Sequence, residues 1–178
     1  MKNREYTSIE LFAGAGGLAL GLEKAGLHHV ALNEFDKYAC QTLRANRPNW
    51  NVLEGDIHSI DFTPYKGVDV VSGGYPCQAF SYAGKKLGFE DARGTLFFEF
   101  ARCVKETQPL ICIGENVRGL ITHDKGKTLA GMISVLDELG YFKDYVSNIQ
   151  VASEYTELFN SILKNIENYK EGVKNNVR

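Results

Sequence analysis

Cys77 stands in the run Gly73-Gly74-Tyr75-Pro76-Cys77-Gln78, directly after the apolar stretch Val68 to Ser72. Buried cysteine usually serves as a small inert apolar residue. A cysteine on a loop rich in glycine and proline is poorly suited to that role. Where its surroundings favour the thiolate, it is a soft nucleophile. A second group with chemical potential is Glu115, which with Asn116 and Val117 follows the apolar stretch Leu110 to Ile113. A carboxyl group at the mouth of a largely apolar site tends to hold its proton. It then suits a general acid or a reader of a base edge. The plainer alternative is a strand-end acid capping the next turn. Cys40, Cys103 and Cys112 fall in helix-like or strand-like runs and are assigned to packing.

Three further features point to a bound small molecule. Phe12-Ala13-Gly14-Ala15-Gly16-Gly17 is a glycine-rich turn between a β-prone run and a helical one. Glycine there lets the backbone turn tightly and approach a ligand. Glu34 follows a second β-prone run, where an acid can accept hydrogen bonds from a ribose diol. Asp56 follows a third, where a carboxylate can accept from an exocyclic adenine amine. Each alone fits a structural turn or a solvated loop charge. Together they describe a site for an adenosine-containing cofactor, without separating a dinucleotide from S-adenosylmethionine. The Gly-x-Gly-Gly spacing departs from the usual dinucleotide fingerprint.

The elements that must position these groups alternate along the chain. Strands are expected over Tyr6 to Phe12, His29 to Asn33, Val52 to Leu53, Val68 to Ser72 and Leu110 to Ile113. Helices are expected over Leu18 to Ala25, Lys37 to Asn46, Thr95 to Glu106 and Lys127 to Leu139, and Tyr141 to Val151 reads as a further strand. Ser81 to Arg93 is polar and glycine-containing and reads as a long, functional loop. Alternation of this kind predicts an α/β fold, a mostly parallel sheet with helices on both faces. Ligands then bind at the carboxyl ends of the strands, where the glycine turn, Glu34, Asp56, Cys77 and Glu115 all fall. Residues 1–150 are read as one cofactor-binding and catalytic domain. Residues 151–178 are richer in Asn, Glu and Lys. Tyr155, Leu158, Phe159, Ile162, Leu163, Ile166 and Tyr169 form one helical stripe there, which closes its own core or docks a partner.

Composition restricts the function classes. The chain has 178 residues, 20 Lys and Arg against 22 Asp and Glu, and 44% hydrophobic residues, ordinary values for a globular protein. A net charge of −2 is no basic nucleic-acid footprint, so any grip on phosphate must be local or lie on another chain. Four cysteines without a Cys-x-x-Cys pair argue against zinc and for reduced thiols. No secretory leader and no apolar run of membrane-spanning length is visible. The expectation is a cytoplasmic protein with no metal and no membrane contact.

FAGAGG, NEFD, GDI, GGYPCQAFSYAG, GFEDARGTLFFEFAR and ENVRGL occur in this order. This ordered set resembles DNA (cytosine-5) methyltransferases, over roughly residues 6 to 145. The resemblance implies a Rossmann-like, S-adenosyl-L-methionine-dependent methyltransferase fold acting on double-stranded DNA. It implies that Phe12, Ala13, Gly14, Gly16, Gly17, Leu18 and Phe35 line the cofactor, with Glu34 at its ribose. Asp56 and Ile57 would meet the adenine, and Pro76 and Leu96 the methionine portion. Cys77 would attack carbon 6 of a flipped-out cytosine, and Glu115 would bond the base at N3 and its amine. Gln78, Ser81, Asn116 and Val117 would contact the substrate or hold the cysteine loop, and Ser81 to Arg93 would close over DNA.

The chemistry suits the residues independently. Carbon 5 of cytosine is too weak a nucleophile to take a methyl group directly. Thiolate addition at carbon 6, with proton sharing at N3, makes carbon 5 enamine-like, and the base must leave the stack to be reached. The family also carries a Gln-x-Arg-x-Arg element, a target-recognition domain and a returning C-terminal helix, none of which is visible in this sequence. The chain is therefore expected to need a second polypeptide or a missing segment for DNA recognition. The other readings are an inactive cofactor-binding remnant or interaction protein, and a tRNA cytosine-5 methyltransferase.

Overall fold

The computed structural model describes residues 5–76 and 96–141. Five parallel strands form one sheet in the order β3-β2-β1-β4-β5. They are β1 (Tyr6–Leu11), β2 (Leu27–Glu34), β3 (Val52–Glu54), β4 (Val70–Gly73) and β5 (Ile111–Gly114). The helices are α1 (Gly17–Lys24), α2 (Lys37–Asn46), α3 (Leu96–Thr107) and α4 (Lys127–Glu138). The strand order steps outward in both directions from β1, so the carboxyl edge of β1 lies at a switch point between β2 and β4.

Side chains alternate across each strand, and the two faces are packed differently. Ile9 and Leu11 of β1 join Val71, Phe97, Phe100, Val104 and Met132 in the main core, beneath α3 and α4. The opposite face of β1 carries Ser8 and Glu10, both fully buried under α1. Leu22, Leu27 and Val70 pack on that side, as do Ala19, Leu32 and Leu43 near α2. Helices thus lie on both faces, and β4 is buried at every position, consistent with its near-continuous apolar sequence.

Helix ends follow local chemistry. Asp36 caps α2, its Oδ1 accepting from the amides of Tyr38 and Ala39. Helix α1 starts from Gly16 with no side-chain cap, and the chain leaves it through Gly26 at φ 93°. One acceptor for the open end of α1 comes from the sheet instead. Buried Glu10 takes the amide of Ala19 at 3.0 Å, and His29 of β2 bonds the carbonyl of the same residue at 2.8 Å. Ser72 of β4 bonds the other Glu10 oxygen at 3.1 Å. Three strands therefore hold the first turn of α1 through polar contacts in the interior.

The expected elements are present with small shifts of their ends. Strand β2 begins two residues earlier than its β-prone run, because Leu27 and His28 pair with Tyr6 and Thr7. Short 3-10 turns over Ile57–Ser59, Thr63–Tyr65, Arg118–Ile121 and His123–Gly126 add to the expected list. The loop expected over residues 81–93, the strand expected beyond residue 141 and the apolar stripe after residue 154 lie outside the described residues.

Candidate functional site

The carboxyl edge of the sheet gathers most of the residues singled out by the sequence. At the end of β1, Phe12 adopts φ 57°, a left-handed conformation costing a non-glycine residue roughly 1–2 kcal/mol. Gly14 and Gly16 follow at φ 54° and 90°, and the turn closes with the Gly16 amide on the carbonyl of Ala13 at 2.9 Å. The two glycines differ in their reasons. A β-carbon on Gly14 would meet open space, so backbone conformation and ligand approach are what its lack of a side chain serves. A β-carbon on Gly16 would lie 2.7 Å from Leu43 Cδ2 and 3.3 Å from the Trp50 ring, so packing also excludes one. Ala13 is buried, Gly17 exposed and Leu18 half-buried.

Glu34, at the end of β2, is fixed by backbone amides from two segments. Gly14 donates to Oε2 at 2.6 Å, and Phe35 and Asp36 donate to Oε1 at 2.8 Å each. A carboxylate offers about four acceptor positions. Three are taken, which leaves one on Oε2 for an incoming hydroxyl. A ribose diol would bond this acid through one hydroxyl unless it displaced the Gly14 amide, a narrower fit than two-fold acceptance. Phe35 beside it is 75% exposed and offers a flat apolar face to an aromatic ring.

Asp56 follows β3 and caps the 3-10 turn over Ile57–Ser59. Its Oδ1 accepts from the His58 amide at 3.0 Å and pairs with His58 Nδ1 at 2.6 Å. These hydrogen bonds, the backbone one foremost, favour the charged form and hold its pKa below the usual carboxylate range. The exposed anion suits an amine donor. Ile57 is 3% exposed and belongs to the main core, which leaves its side chain out of reach of a ligand. The donors and acceptors at these three strand ends fit an adenosine-bearing group: an open backbone turn, a carboxylate with one spare acceptor, an exposed aromatic face and an exposed anion.

The ends of β4 and β5 are built as one unit. The Glu115 amide donates to the carbonyl of Gly73 at 2.9 Å, and the Asn116 side-chain amide donates to the carbonyl of Tyr75 at 2.7 Å. The Tyr75 ring is buried against Phe97 and Phe100 at centroid distances of 5.2 and 5.3 Å. Gly114 makes room for it, since a β-carbon there would lie 2.8 Å from the Tyr75 hydroxyl. Gly74 makes room for Glu115, whose Oε2 would lie 3.0 Å from a β-carbon on that glycine. Backbone and ring thus fix the chain up to Pro76. Glu115 is exposed, so the described residues supply no apolar recess around it. Val117 is 66% exposed beside it, and Leu96 is half-buried at the start of α3. Cys77, Gln78 and Ser81 lie outside the described residues.

Sequence reasoning missed Glu10, Tyr75 and Arg102. Glu10 is 2% exposed, and burial pushes its carboxyl up to about 8, against the pull of its bonds to Ser72 and Ala19. The available signal was an acid between Ile9 and Leu11 in a strand leading into the glycine turn. For Arg102 it was the spacing of Glu99, Arg102 and Glu106 along one helix. Among the described residues no cluster of three or more His, Cys, Asp or Glu could hold a metal ion. No described helix is long and apolar enough to cross a membrane.

Comparison with known proteins gives a consistent picture. Residues 6–156 match the family model described as C-5 cytosine-specific DNA methylase. The type II methyltransferase M.Eco47II of Escherichia coli is 65% identical over 142 residues, covering 79% of this chain and 34% of that protein. M.HhaI of Haemophilus parahaemolyticus is 42% identical over 147 residues, covering 79% and 43%. Among solved structures, Spodoptera frugiperda DNMT2 superposes with a TM-score of 0.58 at 26% identity, covering 76% of this chain and 41% of that one. The chain spans about a third of the length of the type II methyltransferases M.Eco47II, M.PspPI and M.Sau96I that it matches.

Proposed function

Because this chain belongs to the C-5 cytosine-specific DNA methylase family, we propose that it supplies the cofactor-binding and base-attacking part of a DNA (cytosine-5) methyltransferase. The observation that carries the reading is the joined end of β4 and β5. There Asn116 holds the carbonyl of Tyr75, two residues before Cys77, while Glu115 lies over Gly74 on the same edge.

S-adenosyl-L-methionine, when bound, supplies an electrophilic methyl group. The chain's own residues do the rest. Glu34 accepts from a ribose hydroxyl, Phe35 flanks the adenine, and Asp56 accepts from its amine. Phe12, Ala13, Gly14, Gly16, Gly17 and Leu18 shape the turn beneath, Ile57 stands beside Asp56 at the adenine, and Pro76 and Leu96 border the methionine portion. The Cys77 thiolate adds to carbon 6 of a cytosine drawn out of the duplex. Glu115 shares a proton with N3, which neutralises charge developing on the ring. With carbon 5 methylated, its proton passes to water, the carbon–sulfur bond breaks to return the thiolate, and the N3 proton returns to Glu115. Gln78, Ser81, Asn116 and Val117 border the base.

A hybrid tests this reading: the chain replaces the matching segment of M.Eco47II, and labelled methyl transfer to duplex DNA is measured. Transfer that Cys77→Ala abolishes supports the mechanism. Transfer undiminished by Cys77→Ala would sink it. Parallel incubation with tRNA decides the substrate class, and incorporation into tRNA alone would replace DNA as the substrate.

A further inference from the structure

The adenine end of the site stands on a short 3-10 turn. Asp56 is exposed, and only three residues, Ile57–Ser59, form the element it caps. Within the turn the Ile57 carbonyl accepts the Ile60 amide at 3.1 Å and the Asp56 carbonyl accepts the Ser59 amide at 3.0 Å. Two of the carbonyls in this segment also accept from one side chain outside it. Arg102 Nη2 donates to the carbonyl of Ile57 at 2.8 Å, and Nη1 donates to the carbonyl of Ile60 at 3.0 Å.

Arg102 is itself held in place. It lies in α3, where Nε donates to Glu99 Oε2 at 2.8 Å and Nη1 to Glu106 at 3.2 Å. Its guanidinium lies 5.0 Å from the centre of the fully buried Phe62 ring. Glu106 closes the circuit by accepting the Phe62 amide at 3.2 Å. The planar fork of arginine reaches both carbonyls and both carboxylates at once; the single nitrogen of lysine cannot.

We propose that Arg102 is the positioning residue of the adenine end of the cofactor site, strapping the backbone that presents Asp56 and Ile57 to helix α3. The proposal rests on the cofactor reading above. It has a geometric corollary. Helix α3 starts at Leu96, at the methionine end of the proposed site, so one helix sets the distance between the two ends of the cofactor.

The test measures binding of S-adenosylmethionine and of adenosine by calorimetry to the wild-type chain, Arg102→Lys and Glu99→Gln, with circular dichroism as a check on folding. Hydrogen exchange over residues 56–62 is followed in the same proteins. Arg102→Lys keeps the charge beside Glu99 and Glu106 but not the fork. It is expected to weaken both ligands by the same factor, about ten-fold, as for loss of one charged hydrogen bond, and to speed exchange in the turn. Glu99→Gln keeps both carbonyl bonds and is expected to bind like wild type. Should Arg102→Lys not fold, Arg102→Gln, which retains one donor group, takes its place with the same expectation.

Wild-type affinity in the Arg102 variant would overturn the proposal. So would a loss in Glu99→Gln equal to that in Arg102→Lys, because charge pairing would then explain the effect. Weakened binding with unchanged exchange would overturn it too, because the loss would then not pass through the turn. A wild-type chain that binds neither ligand would overturn the cofactor reading itself, and the role of Arg102 with it.

Discussion

The side-chain amide of Asn116 donates to the carbonyl oxygen of Tyr75 at 2.7 Å, joining the chain after β5 to the chain after β4. Its own Oδ1 accepts the Val117 amide at 2.9 Å, which fixes the orientation of the carboxamide. Asn116→Asp replaces the donor with an acceptor facing a carbonyl, and repulsion replaces attraction. Methyl transfer by the hybrid should fall on the order of ten-fold or more, the cost of losing one hydrogen bond and leaving its acceptor unpaired. Cofactor affinity should hold. Labelled transfer at saturating cofactor, set beside calorimetry, reads the two apart.

Glu34 joins the glycine turn to β2 as well as facing the proposed ribose. Glu34→Gln keeps the size but replaces one carboxylate oxygen by an amide nitrogen, which cannot accept. Affinity for S-adenosylmethionine should drop by about ten-fold, the scale of one charge-assisted hydrogen bond. Thermal stability should also fall, because an amide from Gly14 or from Phe35 and Asp36 loses its acceptor. A drop in affinity with no change in melting temperature would count against the dual role.

Glu10 makes stability depend on pH in an unusual direction for an acid. Its carboxyl is raised from 4.5 to about 8 in the folded chain by burial. The folded state therefore keeps a proton that the unfolded state has released. Its contribution is fully present below about 4.5, declines as pH rises, and is lost above about 8. The slope is at most about 1.4 kcal/mol per pH unit between those limits. Glu10→Gln, which carries no titrating group, should flatten the slope in urea unfolding across this window. An unchanged slope would show that another group controls it.

The glycines of α1 and its turn should respond in opposite directions to alanine. Gly16→Ala meets Leu43 at 2.7 Å and must hold φ 90°. Overpacking and a strained backbone together should cost about 2–4 kcal/mol. Gly21 lies within α1 with open space around its missing side chain. Gly21→Ala should add about 0.5–1 kcal/mol through helix propensity and a less flexible unfolded chain. Thermal melts of the two variants give the comparison directly.

Much of the scaffold was legible because pattern and punctuation agreed. Val70 and Val71 announced a strand buried on both faces, and Gly26 and Gly140 stopped helices at φ 93° and 94°. The acids at strand ends were legible for the same reason, since alternation fixes which residues reach the carboxyl edge. What sequence could not reveal was partnership across distance. Glu10 reads as surface charge until α1 is folded over it, and Arg102 reads as one member of a helical charge row. The number of spare acceptors on Glu34 also depends on amides from two separate segments. The 3-10 turns escaped notice because three or four residues carry no periodicity.

The strand-end residues of the proposed site that the structure describes lie at one end of the strands, opposite a second set of turns. The turns there, at Ala25–Gly26, Tyr65–Gly67 and Gln108–Leu110, connect elements and carry none of the site residues. Exposed connections of this kind accept foreign sequence most readily. The molecule therefore has a side for attachment: a fluorophore, a surface tether or an inserted peptide placed at Lys66 would sit across the full length of the sheet from the proposed site. Engineers seeking to report on ligand binding without touching it would begin there.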